Sequence, residues 1–535
     1  MDYIRRLGKE NNSYLDMGDK KRKFIACLLT VCVFMLVCHG FMLLNMSYSH
    51  DSLSAILGQG ASFPTSLGRF LYSYLEDIRG YIAAPWWIGC ISMAAIACAL
   101  FFLCETLQIK SLLSMILIAG ILSTNMTETA SIATYMPWVD SYAIALMLCM
   151  MAVWCCKTTK WSGILFGCVL IVLSLGLYQP YAMTVIALVA IDTVLSLVKG
   201  EKLIDTLIRL IKYVVMFITA YLLYMLTAKI VLDLRNSSFS TGNNSITAVG
   251  LSAFKNISPI LHETWLYFCM FMTNALKPGN YSVGLTVAFG ILCMIQCVLL
   301  GWKNRTKAYL LVVGVVLVAL MPFILNVQRI LCGYDATYHS LMVYSIYFAY
   351  ILIIALADAL HLNEPQTNTE SLKIGDIIVF VLTKVERIVV PVLMIIVVFT
   401  NMRFANNVYS GKYLHEKQTL SQMTKIMARA EETEGFDANT MPVLFVGSLK
   451  NNSTVGREID TFYSILGNNG MKTAVTYSDT YYSFLYYYLG YPVVSRKAAN
   501  YVSSNYAAEI QAMPVYPAAG CCRLIEGCMV IRLSK

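Results

Sequence analysis

Charge is scarce in this sequence. Only 13% of the 535 residues are Asp, Glu, Lys or Arg, whereas 58% are hydrophobic and the mean hydropathy is +0.63. A soluble globular protein is about a quarter charged, so this composition excludes that class and indicates a protein with many membrane spans. The net charge of +9 does not indicate nucleic-acid binding, because much of it lies in short basic clusters between apolar segments.

Several common sequence signatures are also missing. No two cysteines have the C-x-x-C spacing of a zinc site, and most of the 17 cysteines lie inside apolar runs, where they act as small hydrophobic residues. Cys521, Cys522 and Cys528 lie in a polar region, where one disulfide is possible but not assignable. The first apolar run is too long for a cleavable signal peptide, so we expect it to remain as a span.

The apolar runs predict about eleven spans, since a helix needs about 20 apolar residues to cross a bilayer. The first follows the cluster Lys20-Lys-Arg-Lys23, which marks residues 1–23 as a cytoplasmic tail. Loops placed inside carry dense Lys and Arg clusters, and outer loops carry only scattered ones, which supports this topology. The predicted spans are about 24–46, 82–103, 111–124, Trp138 to Lys157, a hairpin around 177–181, 211–232, 283–302, one ending near Arg329, one from about 341, and 388–404.

Regions between and after these spans have distinct patterns. Residues 24–404 are predicted to form the transmembrane domain, with outer interfacial helices within 47–81 and 233–282. Residues 405–535 change to mixed helix and strand patterns, which predicts a small extracytoplasmic α/β domain. The elements predicted near this end are an amphipathic piece at 374–385, helices at 412–433, 457–468 and 477–489, and strands within 441–447, 491–495 and 528–533.

Ionisable residues collect at the predicted outer surface of the membrane. His50 and Asp51 leave the first span there, and charged groups near a bilayer are costly enough to favour a function. An ordinary solvated loop acid is the alternative for Asp51. The other ionisable residues placed on this face are Arg69, Glu76, Asp77, Arg79, Glu128, Asp140, Arg235, Lys277, Arg329, Asp335 and His339.

Three further features have both a structural and a functional interpretation. Asp140 begins a predicted span, where it either caps a helix N-terminus or belongs to an active site. Tyr178 and Gln179 belong either to a tight hairpin turn or to a sugar-binding surface. Arg329 is either an anchor at the membrane interface or a clamp for phosphate.

A series of short motifs connects these residues to a known family. They are Tyr48-Ser-His-Asp51-Ser, Gly68-Arg69-Phe-Leu, Asp140-Ser-Tyr142-Ala and Leu175-Gly-Leu-Tyr-Gln179-Pro-Tyr181, followed by the terminal α/β domain. In this order of features the chain resembles the polytopic bacterial glucosyltransferases that modify O-antigen, members of the GT-C class of membrane glycosyltransferases. The similarity runs over nearly the whole chain and is strongest in the first 200 residues.

The resemblance implies a GT-C-like helical fold and transfer of a hexose, expected to be glucose. The donor is expected to be polyprenyl-phosphate-linked, and the acceptor a cell-surface glycan outside the cytoplasmic membrane of a bacterium. Asp51 corresponds to the first-loop acid at the reaction centre, so it is the expected general base. Arg235 or Arg329 is expected to stabilise the departing phosphate, and Asp140 to orient the acceptor or help to hold a divalent cation, Mg²⁺ or Mn²⁺. The remaining substrate-binding candidates are His50, Arg69, Tyr178 and Gln179.

Three alternatives stay open from the residues alone. A transporter or flippase would place ionisable residues near the bilayer midplane and broken helices in related halves. No convincing internal repeat is present, and Glu105, Asp192 and Asp358 fall near predicted cytoplasmic ends. The second alternative keeps the fold but transfers another sugar or a phosphoethanolamine-type group, and the third is an assembly component without chemistry.

Overall fold

The computed structural model describes residues 19–58, 60, 62–159, 161–240, 257–276, 281–332, 338–361, 374–449, 478–492, 494 and 497–534. Lys277, Asp335 and the predicted helix 457–468 lie outside these residues. The described part is mainly helical, with one small sheet near its C-terminal end. This confirms a polytopic α-helical membrane protein with a small α/β region after the spans.

The described helices follow the predicted spans closely. Among the described residues, nine helical segments are long and apolar enough to cross a membrane, and two shorter apolar helices lie at the positions of the other two predicted spans. In chain order the helices are α1 (Lys20–Leu44), α2 (His50–Leu53), α3 (Ser62–Ser66), α4 (Tyr72–Arg79), α5 (Pro85–Leu107), α6 (Leu112–Thr124), α7 (Met126–Thr134), α8 (Val139–Thr158), α9 (Ser162–Leu177), α10 (Met183–Val198), α11 (Leu203–Leu234), α12 (Ile257–Thr273), α13 (Val283–Lys303), α14 (Ala308–Leu325), α15 (Val327–Cys332), α16 (Phe348–His361), α17 (Ile374–Glu431), α18 (Ser478–Leu489), α19 (Lys497–Asn505) and α20 (Ala507–Ala512).

Partly buried ion pairs join the helices at one end of the bundle. Lys23 at the start of α1 donates to the Glu105 carboxylate at 2.7 Å, near the end of α5. Lys157 at the end of α8 lies 2.6 Å from Asp192, which also pairs with Arg209 at 3.2 Å. We call this side of the bundle the basic end. Since α1 runs from it to Leu44, the loop that carries Asp51 lies at the opposite end, which we call the Asp51 end.

The helix of the third predicted span, 111–124, ends where it was predicted to end, and a further short helix follows it directly. The helix stops at Asn125 and resumes as α7, every residue of which is buried. Asn125 fills the break, because its Nδ2 donates to the carbonyls of Ile121 and Leu122 while its Oδ1 accepts from the amide of Glu128. Such side-chain bonds supply the partners that the two helix ends lack. Glu128, which was placed on the outer face, has its side chain buried in the bundle.

The segment after α16 also differs from the prediction. The amphipathic piece at 374–385, the span at 388–404 and the helix at 412–433 are all parts of the single helix α17, which has 58 residues. The predicted domain boundary between residues 404 and 405 therefore falls inside one continuous helix. Composition changes there from apolar to polar, but the helical backbone continues through both.

A three-stranded sheet follows α17. The strands are β1 (Val443–Val446), β2 (Cys522–Ile525) and β3 (Cys528–Arg532), in the order β1-β3-β2. Val443 pairs with Met529 in the parallel β1–β3 ladder, and Cys522 pairs with Ile531 in the antiparallel β2–β3 hairpin. The hairpin turns at Glu526-Gly527, both with positive φ, as a two-residue hairpin loop requires.

Two of the predicted strands agree with this sheet and one does not. The runs 441–447 and 528–533 contain β1 and β3. β2 was not predicted. The run 491–495 lies partly outside the described residues, and its described positions 491, 492 and 494 are not in a strand.

Candidate functional site

Asp51 stands in the first turn of the short helix α2, directly after the segment that follows α1. Ser49 caps this helix through a reciprocal pair of bonds with Ser52, and the Ser49 hydroxyl also donates to the Thr134 carbonyl of α7 at 2.7 Å. His50 is buried, with its Nε2 3.4 Å from the Asp51 carboxylate. The Asp51 side chain is 36% exposed. It is therefore a fixed carboxylate that a substrate can reach.

Arg69 and Gln179 meet beside a cluster of tyrosines. The guanidinium of Arg69 lies over the Tyr178 ring, 4.8 Å from its centroid, in a cation–π arrangement. Its Nε donates to Gln179 Oε1 at 3.4 Å, and Gln179 Nε2 donates to the Leu67 carbonyl at 2.7 Å. Tyr178 in turn packs on Tyr142, with ring centroids 3.9 Å apart. The structure thus brings together Arg69, Tyr178 and Gln179, three of the predicted substrate-binding residues.

Gly68 makes this arrangement possible. It has a φ of +81°, and a Cβ built there would stand 2.3 Å from the Tyr224 hydroxyl and 3.0 Å from Gln179 Nε2. Both the backbone conformation and the space require glycine. The Tyr224 hydroxyl donates to the Gly68 carbonyl at 3.2 Å, which fixes the turn that presents Arg69.

Tyr135 connects Asp51 to the tyrosine cluster, and His339 lies near Asp51. The Tyr135 hydroxyl hydrogen-bonds to Asp51; burial first and then the Asp51 carboxylate raise the pKa of Tyr135, while Arg69 acts against this. Burial lowers the pKa of His339, and the charge of Asp51 partly opposes that effect. Asp51 and Arg69 therefore both influence Tyr135, so a carboxylate and a guanidinium lie around one polar surface.

Asp140 lies in a buried ion cluster instead of on the open surface. Both of its oxygens accept from Arg79 Nη1, at 3.0 and 2.9 Å, and the side chains of Asp140 and Arg79 are 0% exposed. Arg79 also donates to the Pro137 carbonyl at 2.8 Å and to the Tyr72 hydroxyl, which itself donates to Glu76. This cluster fastens α4 to the start of α8. A role of Asp140 in orienting the acceptor stays a prediction.

The two arginines expected to face phosphate lie in separate surroundings. Arg235 Nη1 donates to the Thr65 hydroxyl at 2.7 Å, close to α3. Arg329 is buried, donates to the Glu263 carboxylate, and has its guanidinium 5.6 and 5.8 Å from the ring centroids of Tyr267 and Tyr338. A carboxylate already compensates the charge of Arg329, whereas Arg69 is the arginine that shares its surroundings with Asp51.

The described residues offer no evident site for a divalent cation. Among the described residues, no three His, Cys, Asp or Glu side chains converge as metal ligands. Asp140, the second carboxylate proposed to hold such an ion, is occupied by Arg79. We therefore assign no metal ligands and derive no step through a metal.

The fold and this surface define a polytopic membrane protein with a cluster of polar and charged side chains around Asp51 at one end of its helical bundle. Residues 40–356, more than half of the chain, match the model of the family described as glucosyl transferase GtrII, and the chain belongs to that family. It is accordingly a glycosyltransferase, and this family membership favours an enzyme over a transporter or a scaffold. No curated protein and no solved structure matches the chain.

The matched range contains all the predicted site residues and ends before α17. Sequence reasoning left out Tyr135 as a site residue and named His339 only for its position. Both lie in short connections between helices, where no periodic pattern marks them. Tyr135 stands directly after α7, and the signal that points to it is its place beside the predicted Asp140 motif.

Proposed function

We propose that this enzyme transfers glucose from a polyprenyl-phosphate donor to a glycan at the outer face of the bacterial cytoplasmic membrane, with Asp51 as general base. The observation that carries this proposal is the partly exposed Asp51 carboxylate facing the same tyrosine cluster as Arg69. Asp140 has a comparable position in the sequence, but its oxygens are already bonded to Arg79. Asp51 is therefore the carboxylate able to take a proton from an incoming hydroxyl.

The orientation follows from the distribution of charge. Lys23 and Lys157 lie at the basic end with other cationic residues, and positive charge marks the cytoplasmic side of a membrane protein. Asp51 is at the other end of the bundle. This supports a reaction centre, and a C-terminal domain, on the outer face, with the N-terminus inside. The lipid tail of the donor would lie among the helices and its sugar phosphate would reach the Asp51 end.

The proposed reaction is a single displacement with inversion. The acceptor hydroxyl oxygen attacks the anomeric carbon, a new glycosidic bond forms, and the bond from that carbon to the phosphate oxygen breaks. Asp51 takes the proton of the attacking hydroxyl, and general-base catalysis of this kind contributes about 10²–10⁴-fold. The phosphate leaves already ionised, so it needs no carboxylic acid to protonate it.

Arg69 has the position to stabilise the departing phosphate. Its Nε contact to Gln179 and its packing on Tyr178 fix the guanidinium while its terminal nitrogens meet no acceptor among the described residues. Guanidinium groups bind phosphate oxygens through paired N–H donors. Arg235 and Arg329, which the sequence favoured for this role, are held by Thr65 and Glu263 respectively. We therefore propose Arg69 ahead of both.

The test is transfer of radiolabelled glucose from polyprenyl-phosphate glucose to glycan in membranes that contain wild-type protein or Asp51→Asn. Asp77→Asn is the matched control, because Asp77 is an exposed acid of the same outer loop. We expect Asp51→Asn to lose about 10²–10⁴-fold in rate and Asp77→Asn to retain it. Equal transfer by Asp51→Asn would overturn the assignment of the base. Transfer by the wild type from another glucose donor, and none from this one, would overturn the donor class.

A further inference from the structure

The residues just before Asp51 are held by side chains from a distant part of the chain. Lys412 and Glu416 of α17 both contact Ser47, more than 360 positions away in sequence. α17 lies beyond the range that matches the family, and no sequence pattern predicts that it approaches Asp51. These two charged residues are therefore absent from the site described above.

Lys412 joins two pieces of main chain around the reaction centre. Its ammonium donates to the Ser47 carbonyl at 2.9 Å and to the Ala133 carbonyl at 2.7 Å, and the residue is buried. Ala133 belongs to the last turn of α7, where carbonyl groups lack helical partners and a cation is favourable. The next residue of α7, Thr134, is the one whose carbonyl accepts from Ser49.

Glu416 completes the contact one helical turn further along α17. Its Oε2 accepts from the Ser47 hydroxyl. A lysine and a glutamate four residues apart lie on the same face of a helix, so Glu416 compensates the buried charge of Lys412. The C-terminal domain reaches the same place, because the hydroxyl of Tyr488 in α18 bonds to Glu416 and lies 3.5 Å from the amide nitrogen of Tyr48.

We propose that Lys412 and Glu416 are positioning residues that set the place of the Asp51 carboxylate. This inference rests on the proposed role of Asp51. Ser47 precedes Asp51 by only four residues, and the Ser49 cap makes the end of this segment rigid. A shift at Ser47 is therefore passed to Asp51, and a misplacement of about 1 Å at a reaction centre costs about 10²-fold in rate.

An apolar pair at these two positions would fill the same space without holding the loop. Replacing Lys412 alone leaves Glu416, which is only partly buried and keeps its hydrogen bond from the Ser47 hydroxyl, so the loss of stability should be smaller than for a fully buried charge left alone. Only the charged pair, however, hydrogen-bonds to two main-chain carbonyls and a hydroxyl at once. We therefore expect substitutions here to lower the turnover number more than they lower stability.

The experiment compares Lys412→Met and Glu416→Gln with two matched controls in purified full-length protein. Lys417→Met and Glu432→Gln are the controls, because both residues are exposed and lie on α17 or directly after it. We expect Lys412→Met to lower kcat by about 10²-fold, with the KM for the donor unchanged. Glu416→Gln should lose less, since an amide oxygen still accepts from Ser47.

A second measurement separates positioning from a general structural role. If Lys412 acts through Asp51, Lys412→Met should cause no further loss when Asp51 is already Asn, because the group it positions is gone. A full additional loss in that background would overturn the proposal. So would a kcat for Lys412→Met equal to that of Lys417→Met.

Failure of the base and failure of the positioning role give different results. If Asp51→Asn alone retains transfer, the proposed function of Asp51 fails, whereas an inactive Asp51→Asn beside a fully active Lys412→Met refutes only the positioning role. If Lys412→Met does not give folded protein, Ser47→Ala decides, because it removes the hydroxyl that donates to Glu416 and leaves both charges in place. Unchanged kcat in Ser47→Ala and Glu416→Gln would then overturn the inference, and reduced kcat in both would support it.

Discussion

Replacement of Arg79 by methionine should destabilise the protein far more than replacement of its partner Asp140 by asparagine. Arg79 is the guanidinium of a buried cluster that contains two carboxylates, Asp140 at 2.9 Å and Glu76 at 3.9 Å. It also donates to the Pro137 carbonyl and the Tyr72 hydroxyl. The two changes therefore leave very different sets of charges behind.

The expected magnitudes follow from what remains buried. Arg79→Met removes the cation that pairs with Asp140 and lies near Glu76, and removal of one partner from a buried ion pair costs about 3–5 kcal/mol. Asp140→Asn keeps an oxygen that accepts from Arg79 and leaves Arg79 opposite Glu76. That change removes one charge-assisted contact, so we expect a loss of about 2 kcal/mol.

Thermal unfolding of the purified protein in detergent measures this difference, and transfer rate per folded molecule is recorded beside it. Arg523→Met is the control, because Arg523 is exposed on β2. An equal loss of stability for Asp140→Asn and Arg79→Met would refute the charge argument. If folded Asp140→Asn instead loses as much rate as Asp51→Asn, then Asp140 takes part in the chemistry, as the sequence first led us to expect.

Two more predictions concern the residues around Asp51. Gly68→Ala should lower the transfer rate, because its methyl group would displace the Tyr224 hydroxyl from the turn that presents Arg69. Gly80→Ala is the control, because Gly80 has a similar positive φ but open space around it, and this variant should keep the rate. Burial lowers the pKa of His339, so below about pH 6.5 only its unfolded form gains the proton, and folding stability falls with falling pH. The difference in melting temperature between wild type and His339→Gln should therefore shrink from pH 7.5 to pH 5.

The spans were predictable because their cause is local. Length and hydropathy define each apolar helix, and clusters such as Lys20–Lys23 are the local signal from which an orientation is predicted. Asp51 was predictable for the same reason, since it directly follows a span. The structure confirms the helical fold, and the role of Asp51 stays a proposal.

The partners of the charged residues were not predictable from local pattern. Arg79 and Asp140 are 61 positions apart, and Lys412 and Ser47 are 365 apart, so no spacing rule connects them. α17 was divided at residue 404 because its composition changes there, although a helix needs only continuous backbone hydrogen bonds. β2 was missed because its side chains, Cys522 to Ile525, show no strict alternation of apolar and polar residues.

The length of α17 has a consequence for how this enzyme is able to change in evolution. Its 58 residues extend over about 87 Å at about 1.5 Å per residue, roughly three times the thickness of a bilayer core. One helix thus contains an apolar segment long enough to span a membrane, carries Lys412, and ends shortly before β1. Each residue inserted into α17 before Lys412 would rotate Lys412 and the rest of the helix by about 100° relative to the membrane-spanning part. Insertions there should be tolerated only when they add a nearly whole number of helical turns, so that Lys412 still faces Ser47. The connections after Glu431 have no such restriction.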